Sequence, residues 1–214
     1  MDLPSSESTD PETSSLAVRQ RRSQVTYDKL IEAAFALLED REWDSIPVAE
    51  IAERAEYSVG AFYARFKNKD EFHRALVKRY AADRLAAIEK LFATTPDETL
   101  LFDYFRDIVT WLWRNRFFWR ACLFRNIREP GFWEPFRSIT TTVSDNFIAR
   151  ATQRIGRPLT AAEQMDIRFA LQVTNGAINN GMINRPGPVA VHDPEFIERL
   201  ERAFRAVSRW DDLR

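Results

Sequence analysis

Apolar residues along this chain recur at intervals of three and four, and the alternation by two that marks a half-buried strand is hard to find. The pattern predicts helix almost throughout. A first helix is expected from about Gln24 to Arg41, with Ile31, Ala34, Phe35 and Leu38 on one stripe and Glu32, Glu39 and Asp40 outside it. Val48, Ile51, Ala52 and Ala55 repeat at i, i+3, i+4 and i+7 and give a short second helix, with Pro47 suited to a first turn where its missing N–H would be unpaired anyway. After Glu56, Tyr57 and Ser58 the run VGAFYARF predicts another short helix with Ser58 as its N-cap, and Asn68 precedes a longer one carrying Phe72, Leu76, Leu85, Ile88 and Phe92. Residues from about Asp97 to Arg116 are apolar around most of the circumference, which predicts an internal helix. Two long helices close the chain, from about Ala161 to Asn184 and from about Pro194 to Trp210. The first bears a narrow stripe of Ile167, Ala170, Leu171, Thr174, Ala177, Ile178 and Gly181. The second bears Phe196, Leu200, Ala203, Val207 and Trp210, spaced for a helix–helix seam. The expected fold class is all-α.

Composition narrows the function classes more than it names one. The segment 1–22 opens with Ser, Thr, Pro and acidic residues, too little apolar surface to offset the entropy of ordering, and ends in a basic patch of Arg19, Arg21 and Arg22; it reads as a disordered arm. A lone Cys122 cannot form an internal disulfide, and with His73 and His192 it makes no zinc cluster, so no metal and no cofactor is expected. No apolar run approaches a membrane span and no apolar signal core opens the chain, which predicts a soluble cytoplasmic protein without a membrane partner. Catalytic signatures are absent: there is no HExxH or G-x-S-x-G, and Gly176 and Gly181 are followed by Met182 and Ile183 where a Walker loop needs Lys and Ser/Thr. Glu71 and His73, two apart on a helix, point to different faces, and Asp193 beside His192 reads as a helix cap. No catalytic residue is assigned, and a non-enzyme is expected.

Two consecutive helices of about eight residues are marginal in water and need neighbours to hold them, which a helix-turn-helix provides. At about 100° per residue Phe62 and Phe66 share one side of the third helix, and Gly60, Ala61 and Ala64 fall opposite. A face that bare lets backbone approach a wall closely, and a DNA major groove is one such wall. Tyr63 flanks it with a hydroxyl able to reach a phosphate, and Arg65, Lys67 and Lys69 follow among residues that include no acid. Bulk charge contributes little, since residues 19–79 hold 12 basic and 11 acidic side chains and the whole chain has a net charge of -1.

IAERAEYSVGAFYARFKNKDEF, Ile51 to Phe72, preceded by LIEAAFALL, Leu30 to Leu38, resembles the DNA-binding domain of the tetracycline-repressor (TetR) family of bacterial regulators; the resemblance covers about residues 24–75. It implies a three-helix reading head, residues 23–70, followed by a larger helical ligand-binding and dimerising lobe, residues 71–214, about nine helices in all. By this resemblance Ser58, Val59, Gly60 and Ala61 meet the groove, and Tyr63 and Lys69 hold phosphates. The full candidate set for DNA is Arg21, Arg22, Thr26, Val48, Ser58, Val59, Gly60, Ala61, Tyr63, Ala64, Arg65, Lys67 and Lys69. Three positions depart from the family pattern. Glu56 stands where glycine is usual, at a cost on the order of 1 kcal/mol for positive φ. Ile46 and Pro47 replace hydroxyl residues, and Val59 replaces a polar or basic one. With few hydrogen-bonding readers, Arg65 being the strongest for guanine, specificity is expected to lean on thymine methyl contacts and DNA shape.

Nearly half of the aromatic residues lie between 102 and 147, and so many bulky rings are hard to close-pack in a small helical lobe. A hydrophobic or aromatic small molecule is the expected effector. Candidate walls are Phe105, Ile108, Trp111, Leu112, Trp119, Phe136, Thr140, Val143 and Asn175; Arg106, Arg120 and Arg125 stand among the rings either as anion partners or as ion-paired surface residues. The family implies a homodimer through the two last helices, hence two heads about 34 Å apart on a roughly palindromic double-stranded operator. The rival expectation is a helical ligand-binding or protein-interaction module that keeps the head fold without using it on DNA.

Overall fold

The computed structural model describes residues 11–213, and the side chains of all but 11–19 and 130. Among the described residues there are nine α-helices, three short 3-10 turns and no strand. Two compact units meet in sequence at Phe72 and His73.

The first unit holds α1 (Pro11–Leu37), α2 (Val48–Arg54), α3 (Val59–Tyr63) and the opening turn of α4 (Lys69–Thr94). The expected arm is corrected here. Its residues 11–22 are the first turns of α1, and residues 1–10 lie outside the described residues. Propagating a helix already nucleated needs little burial, and Pro11 fits a first turn. At the other end α1 stops at Leu37 instead of Arg41. The turn between α2 and α3 follows from backbone bonds: Tyr57 N–H donates to Ala52 O and Glu56 N–H to Glu53 O, with Glu56 at φ 63° in the left-handed position that closes such a motif. Ser58 caps α3 by accepting Ala61 N–H at 3.2 Å, and Asn68 Oδ1 accepts Glu71 N–H at 2.8 Å ahead of α4. Packing holds the five-residue α3: Phe62, Phe66 and Phe72 form a mutual ring cluster, and Leu30, Ile31, Ala34 and Ile51 are buried with them. Burying each such phenylalanine contributes roughly 1.5–3 kcal/mol.

The second unit holds the rest of α4 with α5 (Leu100–Arg114), α6 (Arg116–Arg128), α7 (Glu134–Ile155), α8 (Ala161–Ile183) and α9 (Pro194–Ser208). The stretch expected to be apolar all round is amphipathic: Leu101, Tyr104, Phe105 and Leu112 are buried, whereas Phe102, Arg106, Thr110 and Arg114 line an exposed side. Arg106 and Thr110 fall one turn apart on the side that Phe102 and Arg114 extend, so the counted rings concealed a polar stripe. At Asn115 the chain passes from α5 to α6, and the Asn115 Nδ2 donates to Trp111 O at 2.9 Å. The core centres on Phe147, which touches the rings of Phe92, Tyr104, Phe204 and Trp210. Arg154 lies over Trp210 and donates to Leu213 O at 2.6 Å, fixing the end of the chain.

At α8 a capping box starts the helix: Glu163 N–H donates to Thr160 Oγ1 and Thr160 N–H to the Glu163 carboxylate at 2.7 Å. The α8 stripe that lets another helix come close is used inside the unit, where Ile167, Ala170, Leu171, Thr174 and Ile178 are buried. Gly181 belongs to the same packing, because a Cβ there would lie 2.4 Å from Val191 Cγ2. Exposed instead are Met165 (60%), Phe169 (51%) and Val173 (38%), four apart on another face. Asp193 stands before α9, but its carboxylate accepts Ala190 N–H at 2.9 Å and caps no α9 amide.

Candidate nucleic-acid interface and effector cavity

On α3 the sequence puts phenylalanines inward and leaves the other side bare. Phe62 is 0% exposed, whereas Val59 and Tyr63 are 41% and 53% exposed, Ser58, Gly60 and Ala64 are exposed, and Ala61 is half-buried. Gly60 has no conformational need to be glycine: its φ is not positive, and an added Cβ would meet only Ser58 Oγ, at an ordinary 3.7 Å. Nothing inside the protein therefore asks for a missing side chain there.

The basic candidates fare unevenly. Arg21, Arg22 and Lys67 are exposed; the two arginines, Val25, Thr26 and Tyr57 border a surface groove. Thr26 itself is 5% exposed and spends its hydroxyl on Arg22 O at 2.9 Å, so it packs and presents no donor outward. Val48 is half-buried at the start of α2. Arg65 gives Nη1 to Ala61 O at 3.0 Å and Nε to Ser23 O at 3.4 Å, ties that hold α3 against α1. Lys69 gives its ammonium to Trp43 O at 2.7 Å and lies 4.5 Å over the Trp43 ring; burial lowers its pKa against the pull of Asp44 and Asp70. Neither residue is the free cation its spacing implied, although the ammonium keeps further donors.

In the second unit a cavity opens between α4, α5, α6, α7 and α8. Seven of the nine expected wall residues line it: Ile108, Leu112, Trp119, Phe136, Thr140, Val143 and Asn175. Phe105 is turned into the core against Tyr104 and Phe204, and Trp111 lies outside the lining, against Tyr80 and the Arg84 guanidinium. Arg106 is paired with Asp103 and Arg125 with Glu129, and neither they nor Arg120 line it. The lining residues that went unforeseen include Tyr80, Arg84, Tyr104, Trp133 and Asn179. Arg84 is the middle residue of Tyr80, Arg84 and Ile88 on one face of α4, and that i, i+4, i+8 spacing was the available signal. Its side chain is 2% exposed and paired through Nη1 with Asp107. Burial raises the Tyr80 phenol well above its ordinary pKa and the Tyr104 phenol to about 12, so both stay protonated as donors. Trp119 Nε1 donates to Asn179 Oδ1 at 2.9 Å.

Elsewhere the chemistry is structural. His73 is buried against Phe118 and Phe132 with Cys122 Sγ 3.9 Å away, and burial pushes that thiol's pKa up. Among the described residues no group of three or more His, Cys, Asp or Glu is placed to hold a metal, and no helix is long and apolar enough to cross a membrane.

Residues 30–76 match the family profile of bacterial regulatory proteins, tetR family, and this range contains α2, α3 and the cap of α4. The uncharacterized HTH-type transcriptional regulator YwcC of Bacillus subtilis (strain 168) is 30% identical over 106 residues, 43% of this chain; the chain spans about half of that relative's length, 48%. The fold as a whole is similar to a crystal structure from Mesorhizobium loti MAFF303099 described as a TetR-family transcriptional regulator. That likeness has a TM-score of 0.67 at 19% identity and covers 87% of this chain and 96% of the other. A transcriptional regulator from Cytophaga hutchinsonii ATCC 33406 has a TM-score of 0.62 at 16% identity, covering 84% and 93%. The helix-turn-helix head thus fits the profile of bacterial regulatory proteins, tetR family, over residues 30–76, and the chain as a whole shares the all-helical fold of these regulator structures.

Proposed function

We propose that this protein is a transcriptional repressor that binds a roughly palindromic operator as a homodimer in the cytoplasm and is released by a hydrophobic small molecule. The observation that carries the DNA reading is the outward face of α3, where Val59, Gly60, Tyr63 and Ala64 are exposed while Phe62 is fully buried. A glycine kept at 60 without any internal steric need is accounted for by a wall that comes from outside. Tyr63, Lys67, Arg21 and Arg22 supply phosphate contacts on this reading, and methyl contacts from Val59, Ala61 and Ala64 favour thymine.

Met165, Phe169 and Val173 give α8 an uncovered apolar face, which a second copy would cover around a twofold axis together with α9. An effector in this cavity would touch Tyr80, Arg84 and Ile88, all on α4, the helix whose first turn belongs to the head. Effector binding then acts by its differential affinity for two positions of α4, one compatible with the spacing of successive major grooves and one not. A gel-shift series on DNA flanking the protein's own gene tests the reading. Binding that weakens steeply between about 50 and 200 mM salt is expected; absence of binding at low salt would leave the rival module, a head fold without DNA.

A further inference from the structure

Within the cavity the hydrogen-bonding groups are mismatched in sign. Its lining contains one arginine and no carboxylate. Arg84 is 1% exposed and meets Asp107 through Nη1 alone, while Nε and Nη2 are buried without an acceptor. Asp107 lies outside the cavity lining, is one-third exposed, and keeps contact with water on its own side. The Tyr80 hydroxyl, also in the lining, is buried without an acceptor. Asn179 has its oxygen occupied by Trp119, which leaves its amide N–H groups as donors, and Thr140 gives its proton to Phe136 O at 3.3 Å. Nε and Nη2 are the side-on edge of a guanidinium, two parallel N–H groups spaced for the two oxygens of a carboxylate. A buried charged donor left without an acceptor is costly, and a site that tolerates this in its empty state is completed by what enters it.

We infer that the effector is a carboxylic acid with an aromatic or aliphatic body, its carboxylate held by the Nε–Nη2 edge of Arg84 with help from the Tyr80 hydroxyl, and its body lodged among Ile108, Leu112, Trp133, Phe136 and Val143. The single cation with an adjacent phenol fits one planar monoanion. The remainder of the wall carries no charge and is largely apolar, which disfavours a second charge on the ligand. The inference rests on the proposed effector role of this cavity and adds the chemical class.

The test uses the full chain and two matched pairs of probes, indole-3-acetate with indole-3-acetamide and decanoate with decanamide, titrated by calorimetry. In the wild type the acid of at least one pair is expected to bind about tenfold or more tightly than its amide. Arg84→Gln is expected to abolish that preference by weakening the acid far more than the amide, and Arg84→Lys, which keeps the charge but not the fork, to lose most of it. Should Arg84→Gln melt early, the wild-type acid-to-amide ratio and Arg84→Lys carry the test alone. Equal binding of acids and amides, or an acid preference that survives loss of Arg84, overturns the inference and leaves the cavity as an effector site. No binding of any probe, with Ile108→Trp indistinguishable from wild type, overturns the cavity reading and this inference with it.

Discussion

Glu56 holds its backbone at φ 63°, a region where a side chain costs roughly 1 kcal/mol, and what it gains in return is an exposed ion pair with Lys29 at 3.4 Å. Exposed pairs of that kind contribute little. Glu56→Gly is therefore expected to stabilise the protein by about 0.5–1 kcal/mol in a urea melt; a loss of stability would show that the turn relies on the carboxylate. Arg65 makes a second case, because its guanidinium is committed to Ala61 O and Ser23 O. Arg65→Ala should weaken binding evenly over a set of single-base operator variants, since it loosens α3 from α1; relaxed preference at one base would place Arg65 on guanine instead. These residues also mark how far the sequence could be read. Ser58 was legible because a cap is set by bonds within a few residues, whereas the positive φ of Glu56 was implied by the resemblance, in which glycine stands there. Lys69 and Arg84 were not, since their partners Trp43 and Asp107 are 26 and 23 positions away and only the folded chain brings them together.

Among the helices, α8 begins on the most explicit local signal in the chain. Glu163 closes the capping box, and its hydrogen bonds with Arg157 and with the Thr160 N–H hold its pKa down at about 2, from an ordinary 4.5. A depressed carboxylate contributes stability that is complete above its unfolded pKa and is lost as pH falls through the folded one. Glu163→Gln should therefore be less stable than wild type at pH 7, with the difference shrinking between pH 4.5 and pH 2; thermal melts of both proteins across that range measure it, and a constant difference would assign the effect to helix propensity. Phe147 makes the corresponding test of the core, since it is 0% exposed among four rings on α4, α5, α9 and the turn after α9. Phe147→Ala is expected to destabilise by about 3–5 kcal/mol. Periodicity located α2 to α4, α8 and α9 and gave no bounds for α6 and α7, and it misjudged α1 and α5. Helix needs no burial to propagate through 11–22, and counting rings over 97–116 hid the exposed side of Arg106 and Thr110. The small-residue stripe on α8 was visible in the sequence, but nothing local distinguishes a stripe that meets the chain's own helices from one that meets a second copy.

At the scale of the whole molecule the account requires two copies and a duplex. Phe169, half exposed midway along the uncovered α8 face, is the residue on which association should depend. Phe169→Glu is expected to yield a monomer by analytical ultracentrifugation with its melting temperature little changed when measured at monomeric concentrations, and to reduce operator affinity through the loss of two-headed binding. A wild-type monomer at high concentration would rule that interface out. The central claim is that the bare side of α3 is shaped for DNA, and Gly60 isolates it, because a methyl group there has room within the protein. Equilibrium binding of wild type and Gly60→Ala to the same flanking duplex, with thermal melts run alongside, is the direct measurement. The account predicts a variant as stable as the wild type or more so, by up to about 1 kcal/mol, that binds the duplex at least tenfold more weakly. A variant that binds as tightly as wild type would contradict it.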